Sequence, residues 1–120
     1  MVIISYMPQC VFCQIISGEI PAKKLYEDDE FLVFADIMPQ APVHALVVPK
    51  KHIANLFEAE HEDAAFMGRL LSLAQKTLKD SGCEARGGRF VINCKEDGLQ
   101  SVDHLHVHVL GGRQLKWPPG

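Results

Sequence analysis

The chain has 120 residues, of which 48% are hydrophobic and 22% are charged, as in an ordinary single-domain globular protein. Its formal net charge of −3 argues against broad binding to nucleic acids or anionic membranes, without excluding a locally basic pocket for a small anion. No apolar run approaches the roughly 20 residues that a membrane span needs, and residues 1–9 lack the basic segment of a signal peptide. We therefore predict one cytoplasmic domain over residues 1–120, with 1–9 as an extension and 111–120 as a tail.

The N-terminal half predicts a short helix, a hairpin and a strand. Residues 10–16, CVFCQII, are followed by the glycine and proline of SGEIP, which favours a short helix. Residues 22–37, AKKLYEDDEFLVFADI, place two apolar runs around a charged turn, the pattern of a β-hairpin. The apolar run HALVVP at residues 44–49 predicts a further strand.

The second half begins with a helical period at about residues 60–81. Apolar residues recur there at steps of three and four, and Gly82 follows as a plausible C-cap: Met67, Leu70, Leu71, Ala74 and Leu78. RFVINC at 89–94 and HLHVHVL at 104–110 predict two more strands around the turn KEDGLQ. These elements indicate an α+β domain, an antiparallel sheet of about five strands with one long helix packed on it and a short N-terminal helix.

Three histidines, His104, His106 and His108, alternate along the last predicted strand, so their imidazoles would share one face. Three interpretations are open: an exposed solvated face, a metal site, or nucleophilic and acid–base chemistry by groups that titrate near pH 6.5. The preceding turn, with its backbone N–H groups and the Ser101 hydroxyl, could hold an anion. It therefore favours phosphate chemistry, in which an imidazole attacks phosphorus.

Four cysteines, Cys10, Cys13, Cys83 and Cys94, could form two disulfides, although this is unusual in a cytosolic protein. Cys10 and Cys13 form a C-x-x-C pair, which indicates half of a metal site or a redox pair.

The stretch HLHVHVLGGR at residues 104–113 resembles the histidine triad (HIT) superfamily. Residues 10–53 and the tail LGGRQLKWPPG resemble its Hint branch, the nucleoside phosphoramidases, and the resemblance covers roughly residues 10–120. It implies a HIT-like fold, a homodimer, and hydrolysis of purine nucleoside phosphoramidates or acyl-adenylates. The reaction would pass through a covalent nucleotidyl-histidine intermediate and release a nucleoside monophosphate. The tail argues against the related dinucleoside polyphosphate hydrolases.

The resemblance also implies roles for catalytic residues. His106 would be the nucleophile, and His44 would support it through hydrogen bonding. His108 would contact a phosphate oxygen. Ser101 would contact the phosphate or the leaving group.

For the nucleotide, the resemblance implies that Asp36 accepts the ribose hydroxyls and that Asn93 bonds near the ribose and phosphate. An apolar slot would hold the base, formed by Val11, Phe12, Ile15, Phe34 and Ile37. Plainer interpretations stand beside these: Asp36 could cap the following turn, and Asn93 could satisfy a local backbone group. Phe34 and Ile37 could simply be core residues.

Some HIT proteins bind zinc through residues that match Cys10, Cys13, His52 and His104. Two thiolates and two imidazoles suit tetrahedral zinc, and a site with four protein ligands would be structural. The alternatives are two reduced cysteines packed as small apolar groups, or a zinc-dependent structural or redox protein centred on this pair.

Two positions depart from the family pattern. Leu99 stands where a second glycine usually allows close approach to the phosphate, and leucine would be strained there if φ is positive. Asp103 replaces an aromatic residue and puts a carboxylate beside His104, where it could raise an imidazole pKa or orient a zinc-bound histidine. Both keep open a second function, a nucleotide sensor or protein-interaction module with little turnover.

Overall fold

The computed structural model describes residues 6–120. Within this range the chain forms two α-helices and five strands, with a 3-10 turn at Glu58–His61 and a wide turn at Lys79–Cys83. In chain order they are α1 (Val11–Ser17), β1 (Lys24–Glu27), β2 (Phe31–Ala35), β3 (Val43–Pro49), α2 (Ala64–Leu78), β4 (Gly88–Val91) and β5 (Val107–Gly111).

The five strands form one antiparallel sheet in the order β1-β2-β3-β5-β4. This confirms the predicted α+β class, the strand number, the long helix and the short N-terminal helix. The hairpin forms because the Asp28 carboxylate accepts hydrogen bonds from the backbone N–H groups of Glu30 and Phe31, which closes the charged turn. Within the described residues, no helix combines the length and hydropathy that crossing a bilayer requires.

Alternation along β2, β3 and β5 builds an apolar cluster on each face of the sheet. Helix α2 covers one face, where Leu70 and Ala74 pack against Val47. Helix α1 covers the other, where Phe12 packs with buried residues of β2 and β3. His44 and His108 belong to the α1 face, since they alternate with residues that face α2.

Helix α2 is shorter than the predicted 60–81. It begins at Ala64 because the Asp63 side chain caps it, accepting from the Phe66 N–H at 2.8 Å. The α-helix ends at Leu78, and the wide turn after it contains Gly82 at φ 85°. Gly82, predicted as the C-cap, therefore has a left-handed conformation, but three residues separate it from the end of α2 at Leu78.

The two predicted C-terminal strands have different bounds. Strand β4 ends at Val91 instead of Cys94, and β5 begins at Val107 instead of His104. Between them, Lys95 and Leu99 both have φ of 58°, a conformation that cannot continue a strand. The prediction that all three triad histidines lie on one strand was therefore wrong, since only His108 is in β5.

Candidate active site and adjoining metal centre

The triad is buried. His104 and His106 expose 0% and 2% of their surface, and His108 is partly buried. The interpretation of an exposed, solvated histidine face was therefore wrong. Buried imidazoles need hydrogen-bond partners, and those partners determine which nitrogen of each ring carries the proton.

His106 has a hydrogen-bond partner on one of its two ring nitrogens. Its Nδ1 lies 2.7 Å from the backbone carbonyl oxygen of His104. A carbonyl only accepts, so Nδ1 carries the proton, and in the neutral ring the lone pair is on Nε2. Burial lowers the pKa of His106, which favours this neutral form. His106 Nε2 therefore has a free lone pair.

A second chain of hydrogen bonds joins His44 to His108. The backbone N–H of Gln40 donates to His44 Nδ1 at 3.0 Å, so the proton of neutral His44 is on Nε2. That N–H donates to His108 Nδ1 at 2.9 Å, which leaves His108 Nε2 as a donor. Burial lowers the pKa of His108 to about 4, so the ring is neutral near pH 7.

His44 lies beside His108, the third member of the triad. The rings of His106 and His108 are 4.9 Å apart, centroid to centroid. Support of the nucleophile by His44, as the resemblance implies, would pass through His108.

The turn-capping interpretation of Asp36 is confirmed. Its Oδ1 accepts from the Met38 N–H at 2.8 Å, which caps the turn after β2. Its Oδ2 lies 3.4 Å from His44 Nε2. The nearby carboxylate raises the pKa of His44, but burial has the larger effect and the pKa is lowered overall.

The apolar residues implied for the base divide into two sets. Phe12, Ile15 and Phe34 are buried together beneath the site. The Phe12 ring meets the His106 ring edge-on at 5.1 Å. Val11 is exposed, and Ile37 is 92% exposed. Phe12, Ile15 and Phe34 thus form a buried apolar floor beneath His106. Val11 and Ile37 are not part of that floor.

A separate cluster unites Cys10, Cys13, His52 and His104. Their Sγ and Nδ1 atoms all lie within 4.8 Å of one another. The measured sulfur–nitrogen distances are 3.4, 3.4 and 3.7 Å. A tetrahedral zinc ion with ordinary bond lengths would separate sulfur from nitrogen by about 3.6 Å. The donor set and its spacing therefore fit zinc.

Hydrogen bonds around the cluster support this fit. His104 Nε2 donates to the Pro49 carbonyl oxygen at 2.8 Å, which leaves the Nδ1 lone pair facing the two sulfurs. The N–H groups of Met7 and Cys13 donate to Cys13 Sγ and Cys10 Sγ, each at 3.4 Å. Burial raises the pKa of Cys13, so a cation is needed to stabilise its thiolate. All four cysteines are free, including Cys83 and Cys94.

Asp36, His44 and His108 also converge within 4.8 Å, but their hydrogen bonds oppose a metal. The Gln40 N–H occupies His44 Nδ1 and keeps the proton on Nε2, between the two rings. An ion there would have to displace that proton and leave His44 without one. In His104, by contrast, Nε2 donates to the Pro49 carbonyl, which leaves on Nδ1 the lone pair that metal binding requires.

The charge of Asp103 acts on a neighbouring imidazole, that of His52. It raises the pKa of His52 against the larger, lowering effect of burial. The pKa of His104 is lowered to about 4, mainly by burial, and Asp103 does not contribute to that change. Asp103 therefore adjoins the metal cluster on the His52 side.

The loop before the triad carries Leu99 in the left-handed conformation, at φ 58°, with 83% of its surface exposed. The condition under which leucine would be strained here, a positive φ, is therefore met. For a residue with a Cβ the conformation costs about 1–2 kcal/mol. Leu99 therefore combines backbone strain with an apolar side chain in solvent.

Gln100 is a site residue that the sequence analysis missed. Its Oε1 accepts from the Lys95 N–H at 2.9 Å, and its Nε2 donates to the carbonyls of Ala54 at 2.8 Å and Val102 at 2.9 Å. One side chain thus joins both ends of the loop to the segment after β3. No local pattern signals this, because Ala54 is 46 residues away.

Ser101 and Asn93 flank this loop. Ser101 is exposed directly after Gln100, and Asn93 is partly buried after the end of β4. Ser101 lies on the cleft that Cys10, Val11 and His52 also line.

Comparisons with known proteins agree with this fold. The HIT domain family model matches residues 17–115. A 14 kDa zinc-binding protein of Brassica juncea is 49% identical over 112 residues, which cover 92% of this chain and 98% of the relative. The crystal structure of a HIT family hydrolase from Legionella pneumophila matches with a TM-score of 0.89 and 46% identity, covering 93% of this chain and 100% of that one.

A histidine triad nucleotide-binding protein from Candida albicans matches with a TM-score of 0.77 and 31% identity, over 93% of this chain and 85% of that one. The family model covers most of the chain, and the histidines that define the motif form the buried cluster described above. The chain therefore belongs to the histidine triad (HIT) family.

Proposed function

We propose that the protein is a purine nucleoside phosphoramidase, which also accepts acyl-adenylates and releases a nucleoside monophosphate. The observation that carries the proposal is the 2.7 Å contact from His106 Nδ1 to the His104 carbonyl, which leaves Nε2 unprotonated. Similarity to a HIT family hydrolase supports hydrolysis in general. The choice of the phosphorus–nitrogen bond comes from the Hint-like sequence.

In the first step, His106 Nε2 would bond to the α-phosphorus as the bond to the leaving amine or acid breaks. The His108 Nε2–H would donate to a phosphate oxygen, and the Ser101 hydroxyl would contact the phosphate or the leaving group. The amine would leave after taking a proton from water, whereas the acid of an acyl-adenylate would leave as its carboxylate; the water that attacks in the second step returns a proton to solvent. The nucleotide would then be bound covalently to His106.

In the second step, water would attack the same phosphorus and displace the His106 nitrogen, releasing the monophosphate. His106 would return to its neutral form with Nδ1 still bonded to the His104 carbonyl. Because the ring is neutral both before and after turnover, a low pKa favours the resting state.

The nucleoside would lie over the floor formed by Phe12, Ile15 and Phe34, with Val11 and Ile37 closing on the base. Asp36 would accept the ribose hydroxyls through Oδ2, the oxygen that does not cap the turn. Asn93 would bond near the ribose and phosphate, and the backbone at Leu99 would line the phosphate loop. An apolar slot suits a purine base.

The Cys10, Cys13, His52 and His104 cluster would hold a structural zinc ion. When bound, zinc would supply a four-coordinate crosslink between α1, the segment after β3 and the triad segment. The spacing of the donors supports this, and so does the name of the zinc-binding relative from Brassica juncea.

The active form would be a homodimer. Two apolar side chains support this: Leu71, exposed on α2, and Phe90, exposed on the edge strand β4. Phe90 pairs with Val109, a core residue beneath α2, so the Phe90 and Leu71 side chains both lie on the α2 side of the sheet, and exposed apolar groups that share a side are typical of an interface. We place neither nucleic acid nor membrane among the partners, in keeping with the net charge of −3.

A second candidate function is nucleotide sensing or protein interaction with little turnover. The strained and exposed Leu99 favours it, because the phosphate loop then departs from the glycine-rich form that the resemblance associates with catalysis.

Turnover of adenosine 5′-phosphoramidate by the wild type and His106→Ala tests both functions. We expect the variant to lose activity by at least a thousandfold while it folds and binds AMP. His61→Ala, an exposed histidine outside the site, serves as the control. Equal rates for wild type and His106→Ala would rule out the nucleophile. AMP binding without turnover by the wild type would favour the sensor.

A further inference from the structure

His104 belongs both to the histidine triad and to the metal cluster of Cys10, Cys13, His52 and His104. Its Nδ1 faces the sulfurs of Cys10 and Cys13 at 3.4 and 3.7 Å, within the metal cluster. Its backbone carbonyl accepts the Nδ1 proton of His106 at 2.7 Å. The bond that determines the tautomer of the nucleophile therefore starts from a residue that the metal would hold.

The segment that carries this carbonyl has few other anchors. It precedes β5, which begins at Val107, so the sheet does not fix it. Its backbone N–H groups at His104 and Leu105 bond to the carbonyls of Val102 and Ile53. Only the Ile53 bond reaches another part of the chain. Beside the burial of Leu105 in the core, the His104 side chain is an anchor of this carbonyl, since its Nε2 bonds to Pro49 and its Nδ1 faces the two sulfurs.

Helix α1 provides a second connection. Phe12 lies between the two cysteines in sequence, and its ring contacts His104 at 5.9 Å and His106 at 5.1 Å, edge-on. Ligation of Cys10 and Cys13 would therefore also hold the aromatic ring against the nucleophile.

We propose that His104 is a positioning residue for His106, and that zinc on His104 Nδ1 keeps the nucleophile in its Nδ1–H tautomer. The zinc centre then acts on the reaction without touching substrate. This inference rests on the proposed function for its kinetic consequence, but its structural consequence is independent of turnover.

His52→Ala tests the coupling, because His52 ligates the cluster without contacting His106, and His61→Ala is the matched control. Zinc content is measured by elemental analysis, and the tautomer of His106 by two-bond proton–nitrogen NMR of the imidazoles. We expect zinc-free His52→Ala to populate the Nε2–H tautomer to a tenth or more. Its kcat should fall about tenfold, while KM and AMP affinity change less than twofold.

His52→Cys supplies a thiolate ligand instead and should restore both zinc and the single tautomer. If zinc-free protein does not fold, cadmium replaces zinc in the wild type. The longer cadmium bonds should shift the His106 Nδ1 proton resonance and alter kcat more than KM.

A folded, zinc-free protein with one His106 tautomer and wild-type kcat would overturn the inference, as would an unchanged Nδ1 resonance in the cadmium form. Absence of turnover in the wild type would instead contradict the proposed function, and the NMR measurement would still decide the role of His104.

Discussion

The Nε2 atom of His44 lies 2.9 Å from Nδ1 of His108, and the Gln40 N–H on the far side of His44 determines the direction of that bond. Both rings are neutral because burial lowers the pKa of each. The pair therefore presents His108 Nε2–H to the site as a fixed donor. A neutral His44 with its proton on Nδ1 would oppose the Gln40 N–H and could no longer donate to His108.

Replacing His44 tests the chain of hydrogen bonds from Gln40 through His44 to His108. In His44→Ala, His108 Nδ1 loses its donor and the ring is free to change tautomer, so we expect kcat to fall by roughly 10- to 100-fold. His44→Gln retains an N–H₂ group that can reach His108 Nδ1 and should recover part of the rate. Steady-state kinetics with adenosine 5′-phosphoramidate measures both, and a wild-type kcat in His44→Ala would contradict the role of this hydrogen-bond chain.

Acid should destabilise the fold through His108. Its pKa is about 4 in the folded protein and 6.5 ordinarily, so between these values the unfolded chain binds the proton more readily. The free energy of unfolding should therefore fall as the pH falls from about 6.5 to about 4. Urea unfolding across this range measures it. His108→Asn should show a shallower decline, by up to about 1.4 kcal/mol per pH unit, and an equal slope would contradict the assignment.

Leu99→Gly should relieve backbone strain at φ 58°. The left-handed conformation costs leucine about 1–2 kcal/mol, and glycine loses about 0.5–1 kcal/mol in chain entropy, so we expect a net gain of roughly 0–1.5 kcal/mol. The variant should also favour bulkier leaving groups. Urea unfolding and kinetics with a series of amines check this.

Gly87→Ala is the reverse control, because a Cβ there meets nothing within 4 Å and only its φ of +74° matters. It should lose about 1 kcal/mol. Destabilisation by Leu99→Gly together with tolerance of Gly87→Ala would show that positive φ is not what limits these positions.

Gln100→Glu should loosen the loop before the triad. A carboxylate still accepts from the Lys95 N–H but cannot donate to the carbonyls of Ala54 and Val102. We expect a loss of about 1–2 kcal/mol and a several-fold rise in KM. Hydrogen exchange at the Lys95 amide and kinetics provide the measurements. Gln75→Glu, an exposed change of the same charge on α2, should alter neither, and a similar loss there would assign the effect to charge alone.

The sequence by itself determined the local elements and the chemical groups of this protein. Periods of two and of three to four residues placed the hairpin, β3 and α2, because side-chain direction follows backbone geometry. The HIT resemblance selected His106 and the four cluster residues before any contact was known. The predicted bounds of α2 were wrong at both ends. The helix begins after Asp63, whose side chain reaches the Phe66 N–H, and it ends before the turn that contains Gly82.

The tertiary structure alone decided how those groups are protonated and joined. The triad segment leaves the strand pattern because Leu105 bonds to Ile53, about fifty residues earlier. The proton positions on His44, His104 and His106 follow from single carbonyl or N–H partners that are spread along the chain. The spacing of histidines in the sequence predicts which rings share a face. Their tautomers depend on hydrogen-bond partners that only folding brings together.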